Sequence, residues 1–380
     1  MLGSASVECV TRPVCLGPWS DTLSVSGATA LTPRKLVQVH HVKSTIAGLN
    51  LGSDEFSLAV KSSLAQVEDL LLTELGSGDD LLTEAATHLA KAGGKRFRPM
   101  FAILAAQFGP RPDAPEVITA ATVVEMIHLA TLYHDDVMDE APVRRGAPSA
   151  NSRWGNSVAI LSGDFLFARA SRLVSTLGPE SVLIIADTFA ELVTGQMRET
   201  VGVTAGKDPI EHYLKVVWEK TGSLISASGR FGAMTSQADP ETIERLARLG
   251  DVIGTAFQVS DDIIDIASVT DDSGKTPGTD LREGVHTLPV LLALADHDDT
   301  ATELRALLVD ARTGKPRPLT EDAEVERALV LLRSSAGMVA AHERLRGYLR
   351  AAQDDLAHLP AGPGRDALSD LAEYTIERTG

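Results

Sequence analysis

Apolar residues recur along most of the chain with the 3.6-residue period of a helix. Phe56, Val60, Leu64, Val67 and Leu71 step down one face. The same period runs through residues 116–140, 155–177, 181–201, 211–234, 241–267 and 322–356. Strand-like alternation is nearly absent. Gly and Pro cluster at 109–112, 178–179, 274–278 and 314–318, and these clusters mark the breaks. The pattern predicts an all-α bundle of about ten or more helices, forming one domain over residues 56–380. Residues 1–55 lack the period and are rich in Ser, Thr, Gly and Val. They read as a disordered N-terminal extension.

Composition agrees with a helical fold. Of the 380 residues, 44% are hydrophobic but only 4% aromatic, with Ala, Leu and Val prominent. A formal charge of -17 argues against a general nucleic-acid binder. The only cysteines, Cys9 and Cys15, lie in the first segment and form no zinc spacing or disulfide framework. A reducing cytoplasm is the expected location. No run of about 18 apolar residues predicts a membrane span, and no basic start with an apolar core predicts a secretory signal.

Two clusters of aspartate break the helical logic. The first is His134-Asp135-Asp136-Val137-Met138-Asp139-Glu140, near the end of a long helix that stops before Pro142. The second is Asp261-Asp262-Ile263-Ile264-Asp265, near the end of the 241–267 helix. Residues i and i+4 lie about 40° apart around a helix, so Asp135 shares a face with Asp139, and Asp261 with Asp265. Such carboxylates repel each other, suit a helix poorly and oppose the macrodipole near its C-terminus. Accepting these costs twice calls for a cation. Carboxylate oxygen is a hard ligand suited to Mg²⁺, an ion commonly shared with substrate phosphates.

Cations surround the clusters in sequence. Gly93-Gly94-Lys95-Arg96-Phe97-Arg98-Pro99 is a basic turn entering a helix, able to hold an anion. Arg144-Arg145-Gly146 follows the first cluster, and Gly274-Lys275 follows the second. Lys220-Thr221-Gly222 interrupts an apolar helix, and Gln258 lies one turn before the second cluster.

With these elements in this order, from about residue 60 to the end, the chain resembles the trans-isoprenyl diphosphate synthases, or polyprenyl synthetases. The resemblance implies an isoprenoid-synthase-type helical bundle around a central cavity, usually a homodimer. It implies a Mg²⁺-dependent prenyltransferase, with three Mg²⁺ ions per active site, joining isopentenyl diphosphate to an allylic diphosphate. Asp135, Asp139 and Asp261 would be the main metal ligands. Asp136, Asp262 and Asp265 would support them directly or through water. Arg144, Lys220, Thr221, Gln258 and Lys275 would hold the allylic diphosphate. Lys95, Arg98, His128 and Arg145 would hold isopentenyl diphosphate. The chain departs from the family at Glu283-Gly284-Val285-His286-Thr287, where a lysine is usual at 285. A cation is therefore lost there or replaced by His286.

Product length follows from the residues one turn before Asp135. Thr131 and Ala130 are small, where bulky aromatics cap short products in the family. Leu132 and Tyr133 should point elsewhere around the helix, and Ile127, Val124 and Val123 below are mid-sized. One turn rises about 5.4 Å, roughly one isoprene unit, so the tail has room for about six units or more. That suits a quinone side chain such as menaquinone, with membrane contact limited to transient product release. The alternatives are a farnesyl or geranylgeranyl diphosphate synthase, and a non-catalytic partner subunit, although the latter should have lost aspartates. A terpene cyclase should lack the basic turn and the second cluster. A metal phosphohydrolase should have more histidines.

Overall fold

Two long helices, each ending in an aspartate cluster, are the pieces around which the others pack. The computed structural model describes residues 45–46, 49–50, 55–76, 80–268 and 277–377. The first aspartate helix is α4 (Pro115–Met138), after α1 (Glu55–Leu75), α2 (Asp80–Lys91) and α3 (Phe97–Ala106). Then follow α5 (Ala150–Trp154), α6 (Asn156–Ser175), α7 (Pro179–Val201) and α8 (Pro209–Val217). A π-turn at Trp218–Gly222 joins α8 to α9 (Ser223–Thr235). The second aspartate helix is α10 (Pro240–Ala267). The chain closes with α11 (Thr279–Glu283), α12 (Leu288–Ala295), α13 (Asp299–Leu308), α14 (Asp322–Arg333), α15 (Ala336–Ala357) and α16 (Pro363–Glu377).

Local chemistry sets the helix starts. Pro115 and Pro240 occupy first-turn positions, where a missing N–H costs nothing. Asp239 caps α10 by accepting from the backbone N–H groups of Glu241 and Thr242, both at 3.1 Å. The run expected as one helix over 322–356 is two. Ser335 starts the second by accepting from Met338 N at 3.1 Å, a cap that the unbroken apolar period conceals. The 211–234 run is likewise divided by the π-turn.

The apolar faces meet in three main clusters. One joins α1, α3, α9 and α16 to the first half of α10 through residues such as Phe101, Leu246 and Ile253. The second surrounds α4 with α1, α2, α6, α7 and α9. The third packs Ala256, Val259, Ile263 and Ile266 of α10 against α12 to α15. The flanks of both aspartate helices are thus held in core, which fixes where their carboxylated ends project. Among the described residues, α4 alone has the length and apolarity to cross a membrane, but 67% of that stretch is buried within the protein.

The strands are minimal. β1 (Thr45–Ile46) pairs with β2 (Leu49–Asn50); these strands and Glu55, the first residue of α1, are the described part of the segment expected to be an extension. β3 (Val143–Arg144) pairs with β4 (Ala147–Pro148) immediately after the first aspartate cluster. Cys9, Cys15 and Lys275 lie outside the described residues.

Candidate active site

The first cluster is shaped by how α4 stops. The helix ends at Met138, Asp139 caps it, and Glu140 turns the chain with φ 49°. The β3–β4 hairpin then reverses through Arg145 (φ 54°) and Gly146 (φ 75°), two consecutive positive-φ residues of the kind tight hairpins use. This turn sends two adjacent arginines to different partners. Arg144 Nε donates to Asp136 Oδ1 at 2.6 Å. Arg145 donates to the carbonyls of Leu89 (3.1 Å) and Gly93. One hairpin therefore touches both the aspartate cluster and the basic turn.

Arg145 lies within a group of cations. Its Nη2 is 3.5 Å from His128 Nε2. Arg96, whose left-handed φ of 50° precedes α3, is held by Glu68 at 2.8 Å and by Glu125 at 2.9 Å. Burial, and the positive charge of Arg145, push Arg98 down to about 10. Burial and the surrounding arginines hold His128 far below the usual histidine range, so it is neutral. Lys95 is exposed at the head of this group. Charge in such excess of local carboxylate favours an anionic ligand.

The second cluster is tied down differently. Asp262 is buried; it accepts from the Tyr213 hydroxyl and from Gln258 Nε2 at 3.0 Å. Thr221 Oγ1 donates to Gln258 Oε1 at 3.4 Å. Asp265 accepts from the N–H groups of Thr279 (3.2 Å) and Asp280 (3.3 Å), capping α11. The six aspartates thus divide evenly. Asp136, Asp262 and Asp265 are buried and engaged by protein donors, whereas Asp135 and Asp261 are partly exposed and Asp139 exposed.

The π-turn links the two clusters. Lys220 acts on Asp135 electrostatically, while the next residue, Thr221, reaches Gln258 and through it Asp262. Two carboxylates that the sequence reading passed over also belong here. Glu199 of α7 accepts from Lys220 and influences Asp135. Glu283, at the end of α11, is raised by burial and by the charges of both Asp139 and Asp265, so it feels the field of both clusters. Isolated glutamates in helical sequence give no signal that separates them from solvated ones. His286 does not replace the missing cation. Its Nε2 pairs with the Leu308 carbonyl at 3.1 Å, and burial lowers its basicity, so it turns away neutral.

Below the first cluster, Ala130 and Thr131 differ. Ala130 is fully buried in the α4–α6 contact; a Cβ at Gly163 would lie 3.0 Å from the Ala130 carbonyl oxygen and 2.3 Å from His134 Nε2. Thr131, four residues before Asp135, stays partly exposed, with its hydroxyl donating to the His128 carbonyl at 2.9 Å. Tyr133 points to α2, where its hydroxyl meets the Ala85 carbonyl at 2.5 Å. Small size therefore serves helix packing at Ala130, whereas Thr131 keeps part of its surface open.

The donor set also bears on metal binding. Among the described residues no three His, Cys, Asp or Glu side chains converge into a ready-made cage. The available donors are hard carboxylate oxygens on two helices, and the buried Asp136 Oδ2 has no partner. That arrangement fits an ion completed by ligand oxygens rather than by protein alone.

The model of the polyprenyl synthetase family matches residues 79–322. The chain is 59% identical over 337 residues to nonaprenyl diphosphate synthase of Mycobacterium tuberculosis, covering 89% of this chain and 98% of that one. The chain belongs to the polyprenyl synthetase family. As a member, it is a prenyltransferase with the family's all-α fold. Dimethylallyltranstransferase of M. tuberculosis is 44% identical to this synthase, over 87% of this chain and 98% of its own. Geranylgeranyl pyrophosphate synthase of Corynebacterium glutamicum, crystallised with calcium and isoprenyl diphosphate, superposes with a TM-score of 0.77 at 51% identity. The match covers 87% of this synthase and 99% of that chain.

The charged groups predict a pH dependence of stability. Burial pushes Asp262 up to about 7, against the hydrogen bonds of Tyr213 and Gln258, from an ordinary value of 3.8. Between about pH 4 and 7 the folded chain therefore holds a proton that the unfolded chain has released. Stability from this group is lost as pH rises through that window. Asp262→Asn removes the penalty without changing shape. In chelated protein, its melting temperature relative to wild type should rise between about pH 5 and pH 8. A difference that is flat with pH would show that Asp262 is ionised throughout.

Proposed function

We propose that this synthase is a Mg²⁺-dependent prenyltransferase that condenses isopentenyl diphosphate with an allylic diphosphate into a long all-trans polyprenyl diphosphate. The observation that carries the reading is the π-turn, with Lys220 acting electrostatically on Asp135 and Thr221 hydrogen-bonded to Gln258, which in turn holds Asp262. A single diphosphate at that point would meet both carboxylate clusters and their cations. Mg²⁺, when bound, supplies positive charge where the leaving diphosphate gains negative charge. Asp135, Asp139 and Asp261 are its ligands in this reading, with Asp136, Asp262 and Asp265 holding the cluster geometry behind them.

The chain's own residues do the rest. Arg144 and Lys220 balance the allylic diphosphate as its C–O bond ionises, with Thr221, Gln258 and Lys275 orienting it. Arg98, Arg145, Lys95 and neutral His128 receive isopentenyl diphosphate, whose alkene attacks the allylic carbon. The proton lost afterwards goes to the diphosphate held by Lys220 and Arg144. Aliphatic walls exclude the water that would quench the cation. The nonaprenyl relative and the small Thr131 favour a long product, for the side chain of a quinone such as menaquinone. The catalytic domain is residues 56–380, working in the cytoplasm with transient membrane contact at product release.

The test is incubation with labelled isopentenyl diphosphate and allylic primers of increasing length, with Mg²⁺ or with chelator. Labelled butanol-soluble product that depends on Mg²⁺ is expected, distributed above about six isoprene units. Absence of product rejects the synthase reading, and an end point at three or four units favours the short-chain alternative.

A homodimer completes the reading. Leu183, Val193, Met197 and Val201 share one face of α7 and are exposed, as are Ile160 and Leu161 of α6. Several large apolar side chains exposed on one helix face favour burial against a second copy. Leu183→Glu with Met197→Glu should halve the mass measured by light scattering. An unchanged mass would assign the stripe another role.

A further inference from the structure

Two adjacent residues of α7 pair with two adjacent residues of the π-turn, and the signs alternate. Arg198 grips Glu219 with Nε at 2.7 Å and Nη2 at 3.0 Å. Its neighbour Glu199 accepts from Lys220. The two segments are pressed together: a Cβ at Gly195, one turn earlier on α7, would lie 2.7 Å from Glu219 Cβ and 3.0 Å from the Lys220 backbone nitrogen. The two pairs differ in exposure. The Glu219 side chain is 2% exposed, whereas Lys220 keeps 28% and Glu199 41%. A bidentate pair with a buried carboxylate is a fixed fastening. A half-open ammonium–carboxylate pair is weak and exchangeable.

The outer pair stands where the substrate charge is expected. Lys220 and Glu199 both act on Asp135, in opposite directions. A lysine side chain without a partner would sample many rotamers around that point. We propose that Glu199 is a positioning residue that holds the Lys220 ammonium at the diphosphate site and releases it when the allylic diphosphate arrives. This rests on the reading of Lys220 as a diphosphate ligand. The diphosphate carries more charge and more acceptor oxygens than one carboxylate, so the exchange runs toward the substrate. The Arg198–Glu219 pair keeps the π-turn in place while the partner changes. Glu199 is then a competitor in the resting enzyme, and its removal tightens binding, which loss of a merely structural contact would not do.

The test uses the full chain with Mg²⁺ and measures inorganic pyrophosphate binding by calorimetry beside steady-state kinetics. For Glu199→Gln, the pyrophosphate dissociation constant and the allylic KM should fall about two- to fivefold. A competitor lost from the resting state acts on ground and transition states alike, so kcat should stay within about twofold. The KM for isopentenyl diphosphate should not move. Glu199→Asp should remain near wild type, and Glu199→Gln combined with Lys220→Gln should match Lys220→Gln alone. Weaker or unchanged pyrophosphate binding in Glu199→Gln overturns the proposal, the weaker result marking Glu199 as a contributor to the bound state. If Lys220→Gln alone leaves pyrophosphate binding unaltered, the assignment of Lys220 fails instead.

Discussion

Asp135→Asn and Asp261→Asn should each lower kcat about a thousandfold at saturating substrates, while Asp262→Asn should lower it only about ten- to a hundredfold. The difference follows from what each carboxylate already does. Asp262 accepts from Tyr213 and Gln258, and burial pushes it up to about 7, so an amide nearly reproduces its neutral form. Its loss disturbs the orientation of neighbours but leaves the open positions intact. Asp135 also has a raised value, about 6, from burial and from Asp139, opposed first by Lys220. It is partly exposed, at the point where Lys220 and Arg144 both act. An asparagine there removes a negative ligand from the place where the leaving diphosphate must be neutralised. Steady-state rates across a Mg²⁺ titration make the comparison. Excess Mg²⁺ should recover part of the Asp262→Asn loss and little of the others. Equal damage at 261 and 262 would mean that the buried hydrogen bonds do not separate structural from ligand aspartates.

Helical periodicity places Asp135 with Asp139 and Asp261 with Asp265 on shared faces, but the separation of partly exposed Asp261 from Asp265, buried against the start of α11, comes from contacts that the period does not encode. The aspartate clusters stood out as charge packed where a helix resists it, and the end of α4 before Pro142 was readable from composition. What escaped the sequence depends on contacts between distant segments. The Arg144–Asp136 bond exists because a hairpin of positive-φ residues folds back on α4, and the period of α4 carries no trace of it. The π-turn lies inside a stretch that keeps a helical period on both sides, so Lys220 and Thr221 read as ordinary helical residues. His286 is a candidate cation by its position beside Val285, but its ring pairs with the Leu308 carbonyl. Glu199 and Glu283 were invisible because their meaning comes from Lys220, Asp139 and Asp265.

Thr131→Phe should shorten the product by roughly two isoprene units or more, given one unit for each 5.4 Å turn. Thr131 lies one turn before Asp135 on the same helical face and keeps part of its surface open. A phenyl ring there would stand across the path of a tail leaving the diphosphate along α4. Ala130→Phe is the instructive contrast. Ala130 is fully buried, at the level where α6 approaches closely enough that Gly163 cannot carry a Cβ. A ring at 130 must force the two helices apart, at a cost of about 1–3 kcal/mol in stability. Its effect should appear in the melting temperature more than in the product ladder. Chromatography of dephosphorylated products, beside thermal melts of both variants, separates the two outcomes. Shortening by Ala130→Phe with unchanged product from Thr131→Phe would put the tail on the α6 side of the helix. In that case the space beneath Asp135 serves the first condensation alone, and the end point is set elsewhere in the bundle.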